Sequence, residues 1–216
     1  MTPFIEHTGI VATLNRSNVD TDIIIPKQFL KSIKRTGYGP NAFFDWRYTA
    51  DGSPDETFEL NAPRFKDRSI LITRNNFGCG SSREHAVWAL AQDGYRVIVA
   101  PWNAVDGERL PGFADIFHMN AVKNGLLTIE LSESEVDFIF ELVKRHAGLK
   151  ATADLKGQTL MLHDPDGHAF PFDIDAGVKE KLMQGLDDIA QTLAYADDIA
   201  AFEARHEHGL MGSPGA

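Results

Sequence analysis

Hydrophobic and polar positions divide the chain into short β-rich runs and segments with helical spacing. Residues 4–14 form a first β-rich run, and residues 69–73 form a second that is apolar and β-branched. Apolar residues then recur at helical spacing up to Gly94, and residues 95–100 resume a β-rich pattern. This order predicts a βαβ unit of an α/β protein, with a polar loop at the carboxyl end of its first strand.

The second half of the chain carries further elements of both kinds. Residues 126–131 predict a strand, and a capping box of Ser132 and Glu135 predicts the start of a helix. Residues 158–174 predict a β-hairpin, and a long helix is expected from residue 175 towards 202. We therefore expect a single domain over residues 1–205 and a disordered tail over residues 206–216.

The loop between the predicted strand and helix combines glycines with hydroxyl and charged groups. Gly78 and Gly80 allow positive φ angles and a close approach of the backbone to a ligand. Ser81 and Glu84 fit a capping box that would start the helix. The first turn of that helix would favour an anion, and Arg83 can grip a carboxylate with two hydrogen bonds. The expected ligand is a small carboxylic acid.

The same residues suggest a base for proton transfer. An alkoxide at Ser81 would be favoured beside Arg83 and the helix end, so Ser81 is a candidate to remove a carbon-bound proton. The physical features alone leave a second interpretation equally open, in which Ser81 only caps the helix and Arg83 pairs with Glu84 in solvent. A dinucleotide fingerprint is excluded because Arg83 stands where its third glycine belongs, and the chain has no P-loop sequence.

Residues 27–37 carry four cations and no acid, although the whole chain has a net charge of −10. A charge run of this kind is most often a solvated surface segment. The alternative is a lid over residues 27–39, in which cations bind carboxylates, apolar side chains bind an alkyl group and glycines act as hinges.

The sequence Gly-Cys-Gly-Ser-Ser-Arg-Glu-His-Ala at 78–86 resembles the signature of the swivelling domain of the aconitase superfamily. Within that superfamily, the chain resembles the small-subunit family of bacterial 3-isopropylmalate dehydratases up to about residue 205. The further stretches that carry this resemblance are 18–30, 44–47 and 172–175. The fold implied is an aconitase-like swivelling β/β/α domain.

The resemblance also implies a function in leucine biosynthesis. It implies one subunit of a heteromeric hydro-lyase that isomerises 2-isopropylmalate, a dicarboxylate, to 3-isopropylmalate by dehydration and rehydration. The partner implied is an iron–sulfur large subunit, which would hold the 4Fe–4S cluster, with no cofactor bound by this chain. Two alternatives stay open: a related hydro-lyase acting on homoaconitate or methylmalate-type acids, and a non-catalytic regulatory module that binds a carboxylate.

Particular site residues follow from the resemblance. Ser81 is expected to take the carbon-bound proton, Arg83 to hold a substrate carboxylate, and Ser82 to donate a hydrogen bond to it. Asp22 is expected to orient Arg83 or another site group, although Asp20 and Asp22 also fit Asx-type hydrogen bonding in a turn. The family places its substrate-selecting loop in the basic segment, and the substrate-binding residues expected there are Phe29, Leu30, Lys31 and Arg35.

Composition removes several other classes of protein. The single cysteine, Cys79, excludes a disulfide framework and a complete cluster site built from this chain alone. The acidic balance argues against a nucleic-acid partner. Without a long apolar stretch or an amino-terminal signal pattern, a cytoplasmic location is expected, with no membrane partner. No metal site is expected at His163 and His168, which lack a third ligand nearby.

One segment departs from the family pattern. After residue 101 the relatives continue almost at once to Ser-Phe-Ala-Asp-Ile-Phe, whereas this chain inserts residues 102–111 and has Gly112 in place of the serine. No role of that serine is therefore carried over. The Asp106-Gly107 pair predicts an exposed loop in the insertion.

Overall fold

The computed structural model describes residues 1–31, 34–81, 83–186 and 196–210. The chain divides into two compact units, Met1–Gly185 and Leu186–Ala216. The strands of the first unit are β1 (Glu6–Thr13), β2 (Arg68–Ile72), β3 (Val97–Val105), β4 (Glu108–Leu110), β5 (Leu127–Ser132), β6 (Lys150–Asp154), β7 (Thr159–Leu162) and β8 (Ala169–Pro171). Its α-helices are α1 (Thr21–Ile24), α2 (Phe44–Arg47), α3 (Glu84–Gln92), α4 (Asp115–Lys123), α5 (Glu133–Arg145) and α6 (Ala176–Gln184).

The strands form one mixed sheet. Strands β1, β2, β3 and β5 are parallel neighbours in that order. The other edge of β1 pairs antiparallel with β6, which continues antiparallel to β7 and β8. The parallel pairing of β2 and β3 around α3 confirms the predicted βαβ unit. The side chains of Ile70–Ile72 and Val97–Val99 are all buried, because both faces of these central strands are covered.

Helix α5 confirms the second predicted capping box. The hydroxyl of Ser132 accepts a hydrogen bond from Glu135 N, and the Glu135 carboxylate accepts one from Ser132 N at 2.8 Å. Val136, Ile139 and Val143 are buried on one face of the helix, as their spacing predicted. The helix packs on the parallel strands of the sheet.

The insertion is a β-hairpin rather than the expected loop. Strand β3 continues through residue 105 and β4 returns antiparallel to it. Between them Asp106 and Gly107 take φ angles of +53° and +85°, the two positive values that a tight two-residue hairpin turn requires. The carboxylate of Glu130 holds the returning chain by accepting hydrogen bonds from Gly112 N at 2.6 Å and Arg109 Nη2 at 3.1 Å.

The long helix expected from residue 175 is interrupted. Gly185 takes a φ of +67° and ends α6, because this left-handed conformation cannot continue an α-helix. Residues 187–195 lie outside the described residues, and a separate helix, α7, covers Ala196–Leu210 in the second unit. Helix α7 therefore includes residues 206–210 of the expected disordered tail. None of the helices in the described ranges has the length and apolar character needed to cross a membrane.

A buried ionic cluster fixes the carboxyl end of α3. Asp93, the C-cap residue that follows the helix, accepts hydrogen bonds from Arg47 Nη1 at 2.8 Å, Arg47 Nη2 at 2.6 Å and Arg68 Nη2 at 2.9 Å. Arg68 Nε also donates to the hydroxyl of Tyr95, and burial raises the pKa of Tyr95 to about 12. A carboxylate at a helix carboxyl end is normally unfavourable, so the two guanidinium groups offset a cost here.

Asp93→Asn should lower the free energy of unfolding by about 3 kcal/mol or more, because it leaves two nearly buried guanidinium groups without their counter-charge. The side chains of Arg47 and Asp93 are only 9% and 13% exposed. Asp137→Asn is the matched control, since Asp137 pairs with Arg74 but is 56% exposed, and its cost should stay below about 1 kcal/mol. Urea unfolding of both variants measures the difference, and equal losses would contradict the buried cluster as an anchor.

Candidate active site

The loop between β2 and α3 is held on one side by the segment that leads into α1. Gly78 N donates to Val19 O at 2.7 Å, and Thr21 N donates to Cys79 O at 2.9 Å. The hydroxyl of Thr21 donates to Ser81 O at 2.5 Å. The segment Asp20–Asp22 therefore borders the loop through its backbone and through the side chain of Thr21. Thr21 is a contact that sequence reasoning missed, although it stands between the two acids that were singled out.

The other side of the loop is held by the segment that follows the inserted hairpin. Phe77 N donates to Gly112 O at 2.9 Å, and Ala114 N donates to Phe77 O at 3.0 Å. The rings of Phe113 and Phe117 contact Phe77 with centroid distances of 6.4 and 5.3 Å. The hairpin thus leads directly into one wall of the loop.

The two glycines of the loop have the conformations expected of them. Gly78 has a φ of +76°, and a Cβ atom there would lie 2.2 Å from Cγ of Phe117. Gly80 has a φ of +84°, and a Cβ atom there would lie 3.2 Å from Cβ of Asp20. At position 78 both the positive φ angle and the lack of space for a Cβ atom require glycine. At position 80 the positive φ angle is the main reason for glycine.

The capping box predicted for Ser81 and Glu84 is wrong. Helix α3 begins at Glu84, and its N-cap residue is Arg83, which makes no side-chain capping bond. Arg83 is extended, with φ −130° and ψ 112°, so Ser81 lies too far before the helix to cap it. The Glu84 carboxylate accepts a hydrogen bond from Asn124 Nδ2 at 2.9 Å, and the partner of Arg83 is Asp22 rather than Glu84.

Arg83 is paired with Asp22. Its Nη1 donates to Asp22 Oδ1, and the two side chains are 15% and 36% exposed. Lys27 Nζ lies 3.7 Å from the other carboxylate oxygen, Asp22 Oδ2. Asp20 has a different task, because it caps α1 by accepting a hydrogen bond from Ile23 N at 2.9 Å. Asp20 therefore caps a helix, whereas Asp22 is the partner of two cations. Sequence reasoning missed Lys27 as one of those cations.

Ser81 is exposed at the loop. Cys79, two residues earlier, is half-buried, and burial raises the pKa of its thiol, with the charge of Asp20 adding to the effect. The protonated form of the thiol is therefore favoured. Since this is the single cysteine of the sequence, the residues of this chain do not fit a 4Fe–4S cluster. Ser82, also predicted to bind substrate, lies outside the described residues.

The basic segment is partly packed and partly exposed. It begins as a 3₁₀ turn over Lys27–Lys31, where Phe29 and Leu30 pack against the hydrophobic core and Lys31 is exposed. Phe29 contacts Phe44 edge to face, with a centroid distance of 4.8 Å. Arg35 is exposed, and its guanidinium lies 5.6 Å from the ring centroid of Trp88 on α3. Ser32 and Ile33 lie outside the described residues.

Two other features singled out in the sequence lie elsewhere in the first unit. Asp173 and Ile174 line a cavity of about 260 Å³, together with His118 of α4, whose pKa is lowered chiefly by burial. On the β7–β8 turn, ligand atoms of Asp164, Asp166 and His168 come within 4.8 Å of one another. Within that turn Asp164 accepts hydrogen bonds from Asp166 N and His168 N, and it bonds to His168 Nδ1 at 2.7 Å.

Comparison with known proteins places this geometry in a family. Residues 1–134 match the family described as the aconitase C-terminal domain, and residues 188–208 match the C-terminal domain of the 3-isopropylmalate dehydratase small subunit. A relative from Desulforapulum autotrophicum, named 3-isopropylmalate dehydratase small subunit, is 67% identical over 212 residues, covering 98% of this chain and 99% of the relative. The chain belongs to the 3-isopropylmalate dehydratase small-subunit family. A relative of the same name from Brevibacillus brevis is 50% identical, covering 95% of this chain and 100% of the relative.

A solved structure agrees on the fold of this family. The crystal structure of 3-isopropylmalate dehydratase from Methanocaldococcus jannaschii matches with a TM-score of 0.61 at 21% identity, covering 93% of this chain and 99% of that one. The expected aconitase-like β/β/α fold and the resemblance stated from the sequence are both confirmed.

Gly78→Ala should destabilise the protein more than Gly80→Ala. Both variants strain a positive φ, at a cost of about 1–2 kcal/mol, but only Gly78→Ala also drives a methyl group into the Phe117 ring. Chemical denaturation of the two variants measures the gap, for which we expect about 1 kcal/mol or more. Gly52→Ala is the control for conformation alone, because its φ is +84° and nothing lies within 4 Å of the added atom. Equal losses at positions 52 and 78 would contradict the packing argument.

Proposed function

We propose that this chain supplies one half of the active site of a hydro-lyase that converts 2-isopropylmalate to 3-isopropylmalate. The observation that carries the proposal is the arrangement of the β2–α3 loop. It carries an exposed Ser81 two residues before Arg83, whose guanidinium Asp22 holds by one nitrogen. The relatives named above support the substrate and the reaction. Their 67% and 50% identity extends over nearly the whole chain.

In this proposal Arg83 binds a substrate carboxylate. Asp22 accepts from Nη1, and among the described residues this leaves Nη2 and Nε, on another edge of the planar fork, for a two-point contact. The Asp22 carboxylate restricts the guanidinium and lowers the rotamer entropy lost when substrate binds. Lys27, at 3.7 Å from Asp22, adds a positive charge to the pair, which would otherwise be neutral beside an anionic substrate.

Ser81 is the group proposed to move the proton. Its alkoxide would take the hydrogen, as a proton, from the substrate carbon next to the bound carboxylate, and the resulting hydroxyl would return a proton in the rehydration step. The positive charge of Arg83 lowers the cost of the serine alkoxide. The hydroxyl of Thr21 donates to the carbonyl oxygen of Ser81. That hydrogen bond therefore positions Ser81 without occupying the Ser81 hydroxyl.

The chemistry missing from this chain is proposed to lie on a large subunit. A 4Fe–4S cluster held there would supply the Lewis acid for the departing hydroxyl. Ser82 is proposed to donate a hydrogen bond to the carboxylate held by Arg83. Lys31 and Arg35 would provide positive charge for the substrate carboxylates. Phe29 and Leu30 would provide apolar contacts for the branched end of the substrate. The cytoplasmic location expected from the sequence stays a prediction.

Ser81→Ala should lower kcat of the reconstituted complex by about 100-fold or more, because it removes the proposed base without touching the carboxylate grip. The measurement is turnover of 2-isopropylmalate after anaerobic assembly of this chain with its cluster-bearing large subunit. Ser134→Ala, at an exposed serine in the first turn of α5, is the control and should leave turnover unchanged.

The same assay separates the alternatives. A wild-type pair that prefers homoaconitate or a methylmalate-type acid would point to a related hydro-lyase. Normal turnover by Ser81→Ala would favour a non-catalytic module that binds a carboxylate. Isomerase activity from this chain alone, free of the large subunit, would contradict the division of the active site between two chains.

Arg83→Lys should reduce kcat/KM by much more than the preserved charge suggests. Lysine cannot bind a carboxylate at two points while also pairing with Asp22, so we expect a loss of about 2–3 kcal/mol of transition-state stabilisation. Steady-state kinetics on the reconstituted complex measures it. Arg145→Lys, at the exposed carboxyl end of α5, controls for the substitution itself. Wild-type kinetics for Arg83→Lys would remove Arg83 from the site.

A further inference from the structure

The carboxyl-terminal part of the basic segment is fastened to α3 by one side chain. Gln92, the last residue of the helix, accepts hydrogen bonds through Oε1 from Gly37 N at 2.8 Å and Tyr38 N at 2.9 Å. Its Nε2 donates to Arg35 O at 2.8 Å. One exposed amide group thus satisfies two donors and one acceptor of the segment's backbone.

Packing supports the same attachment. The ring of Tyr38 is buried against α3, with centroid distances of 5.4 Å to His85 and 5.9 Å to Trp88. Gly39 approaches the helix so closely that a Cβ atom there would lie 2.5 Å from Gln92 O. Gly39 is therefore a close-packing residue, which contradicts the expectation that it serves as a free hinge.

The attachment matters because the β2–α3 loop, which holds Ser81 and Arg83, leads into the other end of α3. The helix has nine residues, so it is a rod of about 13 Å that starts directly after Arg83 and ends at Gln92. The Asp93 cluster fixes the end of this rod next to Gln92. The backbone around Arg35 is consequently tied to the same rigid element as Arg83, rather than to a mobile part of the surface.

We infer that Gln92 is a positioning residue for substrate binding. By holding the backbone at Arg35, it fixes the position of the Arg35 guanidinium relative to Arg83. The inference rests on the function proposed above, in which Arg35 and Arg83 bind the same dicarboxylate. An amide is suited to this task because it offers an acceptor and a donor together. A carboxylate keeps only the acceptor, and a methyl group keeps neither.

The experiment compares Gln92→Ala and Gln92→Glu in the complex reconstituted with the large subunit. For Gln92→Ala we expect KM for 2-isopropylmalate to rise about fivefold or more while kcat stays within about twofold, because the segment is displaced and the base is not. Gln92→Glu should give a smaller rise, since its carboxylate still accepts from Gly37 and Tyr38 but repels Arg35 O. Gln184→Ala is the matched control at an exposed helix end, where the side chain bonds only to Glu180 in the described structure.

Amide hydrogen exchange supplies a readout that does not depend on activity. The amides of Gly37 and Tyr38 should exchange about tenfold faster in Gln92→Ala, because both lose their acceptor, and should recover protection in Gln92→Glu. The amides inside α3 should not change. A purely structural role would instead show faster exchange through the helix and a parallel loss of kcat.

The outcomes are distinguishable from failure of the proposed function. An inactive wild-type complex would refute that function, and this inference with it. An active wild-type complex with an unchanged KM in Gln92→Ala would refute the positioning role alone. An unchanged exchange rate at Gly37 and Tyr38 would also refute it, because the clamp would then be absent in solution.

Discussion

The candidate site depends on how the backbone of the β2–α3 loop is held. Gly78 and Cys79 form hydrogen bonds with the segment that leads into α1 and with the first residue of that helix, and Phe77 forms them with the segment before α4. Each of the three chain segments carries polar backbone groups that would otherwise need water. Gly78 is the point where they can meet, because any side chain there would collide with Phe117. The exposed Ser81 and the paired Arg83 are consequences of that close approach.

The charges of the site are arranged locally, against the balance of the whole chain. A protein with a net charge of −10 repels a dicarboxylate at long range, so attraction has to come from nearby cations. Lys27 and Arg83 share one carboxylate, Asp22, which leaves the group with a net positive charge. Lys31 and Arg35 add exposed cations on the segment that follows. In the proposed function, salt therefore weakens the attraction of this site for an anionic substrate more than it weakens the fold.

Helix α3 links these groups mechanically. Arg83, which binds the substrate carboxylate in our proposal, lies at the amino end of the helix. At the carboxyl end, Asp93 is bound by two guanidinium groups. The cost of burying that cluster is offset by its bidentate geometry, and the result is a helix end with little freedom to rotate. Gln92 uses this fixed end as the attachment point for the backbone around Arg35. A short helix can hold two parts of a site in register because both are fastened to it.

Local patterns of periodicity, capping and glycine placement by themselves determined the βαβ unit, the capped helix α5, the β7–β8 hairpin and the positive φ angles of Gly78 and Gly80. These features depend on neighbours within a few residues, which is the range that a sequence pattern describes. Local patterns were also wrong where contacts from elsewhere competed. Glu84 bonds to Asn124 instead of its predicted capping partner, and the Asp106-Gly107 turn became a hairpin because β3 continues beyond the central sheet. Only the tertiary structure decided that Arg83 meets Asp22, 61 positions earlier, and that Gln92 meets Arg35, 57 positions earlier. Such pairings depend on how the fold brings distant segments against the two ends of α3, and no local pattern encodes that arrangement.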